Sequence, residues 1–369
     1  MFCSRCGARL QGIEKFCPGC GAKLTATAAG PSKNNATTIK EFAKDAIDTV
    51  TNSVNEMTGG RGAVELHMKD LVSGVFTSHN KSEREEIFIA GTKNNTPLEK
   101  DISTNWPHPW LYSRVFLLLA VTYWGLLCMA KEFHNPNAIP GMIFIGALAV
   151  PFSLLIFFFE INAPRNISVF DVTAIFFVGG VCSLLATLIL DGFFGIKALD
   201  YIGAIVIGIT EEFGKAIIIW FVLRDIKKKY ILNGLLVGGA VGAGFAAFET
   251  AGYILRFFLM QADAGLYVLY IRGIMALGTH AIWSAIVGGA LAMTKEKEWQ
   301  GFECFSHPKF LTFFFMAVAF HAIWDMPFTL PMYGKILGIV VVEWIVLLVI
   351  IHAGLRQISE ICTGKQLTA

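Results

Sequence analysis

The sequence predicts an all-α fold class: a polytopic membrane helical bundle of about eight transmembrane helices, preceded by a small cysteine-rich module. Two observations support this prediction. Hydrophobic residues make up 54% of the 369 residues and charged residues only 16%, which is far from the composition of soluble domains. From Trp110 onward, apolar stretches of about 20 residues, the length that crosses a hydrocarbon core, alternate with short polar connections. This pattern is typical of antiparallel neighbours in a bundle.

The eight candidate spans follow one another between residues 111 and 354. We place them at residues 111–130, 138–159, 171–190, 199–223, 231–259, 267–293, 309–326 and 334–354. An even number of spans puts both termini on one side of the membrane. Lys and Arg are denser in the loops on that side than in the opposite loops, so the positive-inside rule predicts that both termini are cytoplasmic.

Four cysteines stand in two CxxC pairs near the start of the chain: Cys3 with Cys6, and Cys17 with Cys20. Two such pairs let four thiolates surround one zinc ion in a tetrahedron, so residues 1–24 are predicted to form a zinc ribbon with these ligands. All four coordination positions are then filled, which indicates a structural zinc. The other four cysteines have no ligand spacing and are predicted to be packed or lipid-facing thiols.

Residues 25–105 are predicted to form a cytoplasmic linker with amphipathic helices, which joins the ribbon to a membrane domain at residues 106–369. Apolar residues recur at helical spacing from Ile39 to Met57, a pattern typical of a helix with one apolar face. That face packs on a partner or on the membrane surface, or the segment is an ordinary linker helix. The N-terminus lacks a signal-peptide pattern, so we expect the ribbon to stay in the cytoplasm.

Charged and imidazole side chains interrupt four of the predicted spans. Each ionised group costs about 2.5 to 3.5 kcal/mol at the centre of a membrane helix, so each is a candidate functional residue. They are Glu211, Glu212 and Lys215 in the fourth span, Glu249 in the fifth, Arg272 and His280 in the sixth, and His321 and Asp325 in the seventh. Most of them lie at similar depth, so we expect them to meet.

Such a cluster allows three interpretations. A glutamate beside histidines supplies the base, acid and donors that peptide hydrolysis needs, and His280 and His321 with a carboxylate are also possible ligands of a catalytic divalent metal. A proton or ion path would use the same residue types, but it predicts a repeat of the charged motifs in the first three spans, which carry almost none. A purely structural polar network is the third interpretation.

In their order along the chain, these motifs resemble those of the PrsW family of intramembrane proteases, related to the CAAX prenyl-protease/bacteriocin-immunity superfamily. The matching residues are EEFGK at 211–215, FAAFE at 245–249, Arg272 with His280, and HAIWD at 321–325. The resemblance implies a bacterial integral membrane endopeptidase that cleaves membrane-anchored proteins such as anti-sigma factors. Its implied partners are that substrate and the lipid bilayer, with no nucleic acid.

The resemblance also implies roles for the residues. Glu211 and Glu212 activate the water, and His280, His321 and Glu249 complete the catalytic set. The supporting residues are Lys215, Arg272 and Asp325. Relatives have been classed both as metalloproteases and as glutamate-dependent proteases, so a catalytic divalent metal stays an open alternative beside the structural zinc. A non-catalytic membrane sensor or immunity-like protein, with a structural polar core, is the alternative function.

Overall fold

The computed structural model describes residues 34–92, 94–194, 199–226, 230–294 and 301–364. All regular structure in these residues is helical, which confirms the predicted all-α class. The chain divides into two units, residues 1–48 and 49–369. Of the first unit, the described part is residues 34–48, which form the beginning of a helix. The segment predicted to be a zinc ribbon lies outside the described residues.

Short helices precede a set of long apolar ones. In chain order they are α1 (Asn34–Met57), α2 (Asp70–Ser73), α3 (Lys81–Phe88), α4 (Leu111–Lys131), α5 (Ala138–Ile161), α6 (Val169–Ala174), α7 (Gly180–Phe194), α8 (Tyr201–Asp225), α9 (Ile231–Met260), α10 (Ala262–Met275), α11 (His280–Met293), α12 (Pro308–Asp325) and α13 (Gly334–Cys362). A π-helical turn, Ile175–Gly179, joins α6 to α7.

Within the described part of the chain, six helices are long and apolar enough to cross a membrane. They are Leu111–Lys131, Ala138–Ile161, Val169–Phe194, Ile231–Met260, Ala276–Met293 and Pro331–Cys362. The predicted fourth and seventh spans correspond to α8 and α12, which are helices of the expected extent but are not among the six. These two helices carry five of the eight predicted site residues, and charged side chains lower the apolar character of a helix.

The predicted sixth span, residues 267–293, is wrong as a single helix. Helix α10 ends at Met275, a 3₁₀ turn follows over Ala276–Gly278, and α11 begins at His280. Arg272 and His280, both predicted in this span, therefore lie on two different helices. Apolar spacing carries no signal for this break, which depends on packing: α13 fills the space that a Cβ at Gly278 would need.

Helix α9 is the centre of the bundle, because glycines let its neighbours approach its backbone. A Cβ at Gly234, Gly238 or Gly242 would overlap a backbone carbonyl oxygen of the α11 segment. On another face, a Cβ at Gly244 would overlap the carbonyl oxygen of Phe176. Small residues of this kind are what bring membrane helices close together, and here they set the distance between the helices that carry the site.

Local sequence explains where two of the site helices begin. The Asp200 side chain accepts a hydrogen bond from the backbone N–H of Gly203 at 2.7 Å, which caps the N-terminus of α8. Helix α12 begins with Pro308, whose missing N–H costs nothing at this position. In contrast, no side chain caps the start of α11 at Thr279, so tertiary contacts must hold that end.

The end of α1 and the segment after it pack on the membrane helices. Val54, Val64 and Leu71 are buried in the same apolar core as α9 and α13. Arg356 on α13 donates to the Asn55 side chain at 2.9 Å and to the Thr58 carbonyl at 3.0 Å. Residues from Thr49 onward therefore belong to the second unit.

The four cysteines outside the predicted ribbon are free: Cys128, Cys182, Cys304 and Cys362. Cys182 is exposed on α7, where lipid would surround it. Cys304 is buried and belongs to the segment that connects α11 to α12 along the chain. Burial raises the pKa of the Cys304 thiol to about 11, so it stays protonated and unreactive near neutral pH. Both positions agree with packed or lipid-facing thiols.

Candidate active site

The structure brings the eight predicted site residues together from five helices. Helix α8 contributes Glu211, Glu212 and Lys215, α9 contributes Glu249, α10 contributes Arg272, α11 contributes His280, and α12 contributes His321 and Asp325. Each of them makes at least one polar contact of 3.8 Å or less with another member of the set. The predicted meeting of these side chains is therefore confirmed.

Lys215 is the buried cation at the centre of the cluster. Its Nζ donates to Glu212 Oε1 at 2.6 Å and lies 3.7 Å from Glu211 Oε2. It also donates to His280 Nδ1 at 2.9 Å and lies 4.4 Å from the centre of the Phe245 ring. Because an ammonium has donors only, the His280 nitrogen that faces it must carry a lone pair.

His280 lies between this lysine and Glu249. Its Nε2 is 3.1 Å from Glu249 Oε2, and the same carboxylate oxygen also contacts Arg272. With Nδ1 acting as an acceptor, Nε2 carries the hydrogen and donates it to Glu249. The Arg272–Glu249 pair therefore fixes the orientation and tautomer of this imidazole.

His321 is held from the other side by Glu212. Its Nδ1 lies 2.8 Å from Glu212 Oε1, whereas its Nε2 lies 3.7 Å from Glu211 Oε2 and 3.5 Å from Asp325 Oδ2. Because an ionised carboxylate only accepts, Nδ1 donates to Glu212. Nε2 then faces two carboxylates, an arrangement that requires a positive charge there, either a proton or a metal ion.

The two adjacent glutamates are bonded differently. Glu212 is fully buried, and its Oε1 is occupied by Lys215 and His321. Glu211 Oε2 is buried and has no hydrogen-bond partner among the described residues, although it is surrounded at 3.7 to 3.8 Å by one ammonium and two imidazoles. Glu212 Oε2 is likewise buried without a hydrogen-bond partner among the described residues, and such oxygens are costly. Only the Glu211 oxygen is known to face nitrogens of both histidines, so it is the better placed of the two to take up a ligand or a proton.

A divalent metal fits this donor set. Glu211, His280 and His321 each offer one ligand atom, and the three atoms lie within 4.8 Å of one another. Two imidazoles and one carboxylate leave one position open, as in catalytic zinc sites. The second nitrogen of each histidine faces a carboxylate, which is the usual support for metal-bound imidazoles. Lys215 occupies His280 Nδ1, so an ion could use that nitrogen only after the ammonium had moved.

Two further residues lie beside the site and are not among the predicted site residues: Trp283 and Glu343. Trp283 on α11 is fully buried, and its ring stacks on His321 with 4.6 Å between the ring centres. Glu343 on α13 is also fully buried and accepts a hydrogen bond from Trp283 Nε1 at 2.7 Å. One signal was available: Glu343 is the single charged residue in the apolar run from residue 336 to 355.

The predicted ribbon ligands Cys3, Cys6, Cys17 and Cys20 lie outside the described residues. Their identification depends on sequence comparison, in which residues 2–24 match a zinc-ribbon domain. This match confirms the predicted N-terminal module and indicates zinc as its metal.

Comparison with protein families also identifies the membrane domain. Residues 167–353, just over half of the chain, match the family described as PrsW family intramembrane metalloprotease. All eight predicted site residues lie within this range. No curated protein and no solved structure matched the chain. The buried cluster of carboxylates and imidazoles in an apolar bundle agrees with that family, and the match over half of the chain establishes it. The chain belongs to the PrsW family of intramembrane metalloproteases and is an integral membrane peptidase.

Proposed function

We propose that this peptidase cleaves membrane-anchored regulatory proteins of the anti-sigma-factor type at a site formed by Glu211, His280 and His321. The single observation that supports this most directly is the bonding of Glu211. Its Oε2 is buried, has no hydrogen-bond partner among the described residues and faces one nitrogen of each histidine at 3.7 to 3.8 Å. A reacting water or a metal ion would contact Glu211 Oε2 and His321 Nε2 there, and His280 Nδ1 once Lys215 had moved away from that nitrogen.

The residues have distinct roles in this proposal. Glu211 and Glu212 act as the water-activating pair, and Glu211 receives the water proton because its Oε2 accepts no hydrogen bond and faces both histidines. Glu212 keeps Lys215 and His321 in place. The Lys215 ammonium, 3.7 Å from Glu211 Oε2, favours the ionised form of that carboxylate, which is the form that can accept a proton. Asp325 lies beside His321 Nε2 and supports the positive charge there.

In the metal-dependent alternative, Glu211, His280 and His321 would hold the metal that the family implies, and Glu211 would serve as a ligand instead of as the base. When bound, a zinc ion makes a coordinated water easier to deprotonate and polarises the scissile carbonyl. The Arg272–Glu249 pair orients His280, and Glu212 orients His321, so that each ring directs one nitrogen toward Glu211. Glu211, His280 and His321 are buried, which keeps bulk water away and strengthens the interactions among them.

We also propose the cellular arrangement. The chain lies in the bacterial cytoplasmic membrane with both termini in the cytoplasm, as the Lys and Arg distribution between loops supports. Residues 1–24 bind zinc and recruit or sense a regulator, residues 25–105 connect this module to the membrane, and residues 106–369 cleave the substrate.

The test compares wild type with Glu211→Gln in the native host by proteomics of new protein termini in the membrane fraction. The amide has the shape of the carboxylate but cannot take a proton, so we expect the specific fragments to fall by about 100-fold or more. Glu132→Gln, at the exposed C-terminal end of α4, is the matched control and should leave the fragments unchanged.

Thermal unfolding in detergent would verify that the Glu211→Gln protein is folded. If folded Glu211→Gln gives the same fragments as wild type, catalysis through Glu211 is wrong, and a sensor with a structural polar core becomes the better interpretation.

A further inference from the structure

Glu343 on α13 is a buried carboxylate that the proposed chemistry does not use. Its side chain is fully buried, and α13 is otherwise apolar along its centre. Oε2 accepts a hydrogen bond from Trp283 Nε1 at 2.7 Å, whereas Oε1 has no hydrogen-bond partner in the part of the chain that the structure describes. A carboxyl group buried in a membrane helix is costly in free energy, so Glu343 is a candidate functional residue.

The partner of Glu343 contacts both histidines of the site. The Trp283 ring lies nearly parallel to the His321 ring, with 4.6 Å between centres and 27° between planes. It meets the His280 ring edge-on, at 5.1 Å and 79°. A rotation of this indole would therefore remove a ring contact from both imidazoles. Because the indole N–H is buried, its one hydrogen bond to Glu343 determines which way the ring is turned.

Trp344, the residue after Glu343, contacts the turn between α10 and α11. Trp344 Nε1 donates to the carbonyl oxygen of Leu277 at 3.0 Å, and a Cβ at Gly278 would overlap Glu343 Oε1. Leu277 and Gly278 belong to the turn between α10 and α11, and His280 is the first residue of α11. Two successive residues of α13 thus fix the uncapped start of the helix that carries His280.

From these contacts we propose that Glu343 is a positioning residue of the site. It holds Trp283 against His280 and His321, so that one nitrogen of each ring stays directed at Glu211. Trp344 supports it by holding the turn before His280. The inference deepens the proposed function and depends on it where it concerns metal binding. Glu343 itself touches neither substrate nor metal in this proposal.

The first measurement is cobalt(II) binding to the full-length protein in detergent. Cobalt at a four-cysteine ribbon gives thiolate charge-transfer absorption, whereas cobalt held by imidazoles and a carboxylate gives weak visible bands alone, so one titration separates the two sites. Loss of the weak bands in His321→Ala identifies the membrane site. We expect Glu343→Leu to weaken cobalt binding there by about 10- to 100-fold, as loss of a supporting partner does in other metal sites.

Two matched variants control this result. Glu343→Gln keeps an acceptor oxygen for the indole and should bind cobalt within about threefold of wild type. Val341→Leu changes an exposed position on the same helix and should have no effect. If Glu343 served only helix packing, Glu343→Leu would lower the unfolding temperature and leave the cobalt affinity of the folded protein unchanged. That outcome would overturn the inference.

A second measurement needs no metal. The ring signals of His321, assigned by comparison with His321→Ala in histidine-labelled protein, report the aromatic ring stacked on it by NMR. We expect these signals to shift in Glu343→Leu and to stay in place in Glu343→Gln. If wild type forms no thiolate-free cobalt site, the metal part of the proposed function fails, but the His321 signals still decide the role of Glu343: unchanged signals in Glu343→Leu refute it.

Discussion

Helices α4 and α9 are both apolar enough to cross a membrane, yet they occupy opposite extremes of the structure. None of the most apolar stretch of α4 is buried within the protein, whereas 94% of the corresponding stretch of α9 is buried. Hydropathy alone would not separate them. The difference lies in small residues: α9 carries glycines at its helix contacts, and α4 presents Leu and Trp side chains outward.

This comparison shows two ways of being apolar. Helix α4 is apolar because lipid surrounds it, and α9 is apolar because other helices do. In a membrane, close packing rather than water exclusion holds helices together, so substitutions in α9 should destabilise the protein much more than the same substitutions in α4.

Replacement of a glycine by valine should give the largest difference in stability between variants of α9 and variants of α4. A Cβ at Gly238 of α9 would overlap the carbonyl oxygen of Ser284, whereas a Cβ at Gly125 of α4 would meet nothing within 4 Å. We expect Gly238→Val to destabilise the protein by about 3 kcal/mol through overpacking and Gly125→Val to change it by less than about 0.5 kcal/mol. Unfolding in detergent measures both, and similar values would break the comparison.

Leucine truncation gives a smaller effect of the same kind. Leu235 on α9 is fully buried, whereas Leu118 on α4 is 67% exposed. Leu235→Ala leaves a cavity and should cost about 2 kcal/mol, whereas Leu118→Ala removes atoms that face lipid and should cost less than about 0.5 kcal/mol. The same unfolding assay applies. A large loss at Leu118 would mean that another protein surface, and not lipid, covers α4.

The smallest effect concerns how α4 is attached. The Glu160 carboxylate at the end of α5 accepts hydrogen bonds from the backbone N–H groups of Trp110, Leu111 and Tyr112, each at 2.9 Å. Glu160→Ala removes this cap and should cost about 1 kcal/mol. Glu132→Ala, at the exposed other end of α4, is the control. Proteolysis at the start of α4 should rise in Glu160→Ala only, and equal rates would show that the cap is unimportant.

Much of the site could be predicted from the sequence, because charges inside apolar helices must find one another. Glu211, His280 and His321 belong to different helices, yet the cost of isolated charges in lipid predicts their meeting.

Other features depend on packing that a sequence pattern does not record. The break before His280 interrupts an apolar run that contains no proline, and side chains of α13 fill the space next to Gly278 at that point. Glu343 has no charged neighbour one turn away, so the spacing of α13 gave no reason to join it to a site on other helices. The different environments of α4 and α9 could not be predicted either, because hydropathy does not distinguish a helix surrounded by lipid from a helix surrounded by protein.

The contact between Lys215 and Glu212 has a consequence for how the protein is made. It lies within one helix, three residues apart, whereas the histidines that complete the cluster follow 65 residues after Lys215 and 109 residues after Glu212. Chains are synthesised from the N-terminus, so α8 reaches the bilayer before either imidazole exists. Its own lysine neutralises one glutamate during insertion, which lowers the cost of placing this helix in lipid. Biogenesis can therefore proceed in two stages: a self-neutralised helix enters first, and the later helices complete the charge balance around Glu211.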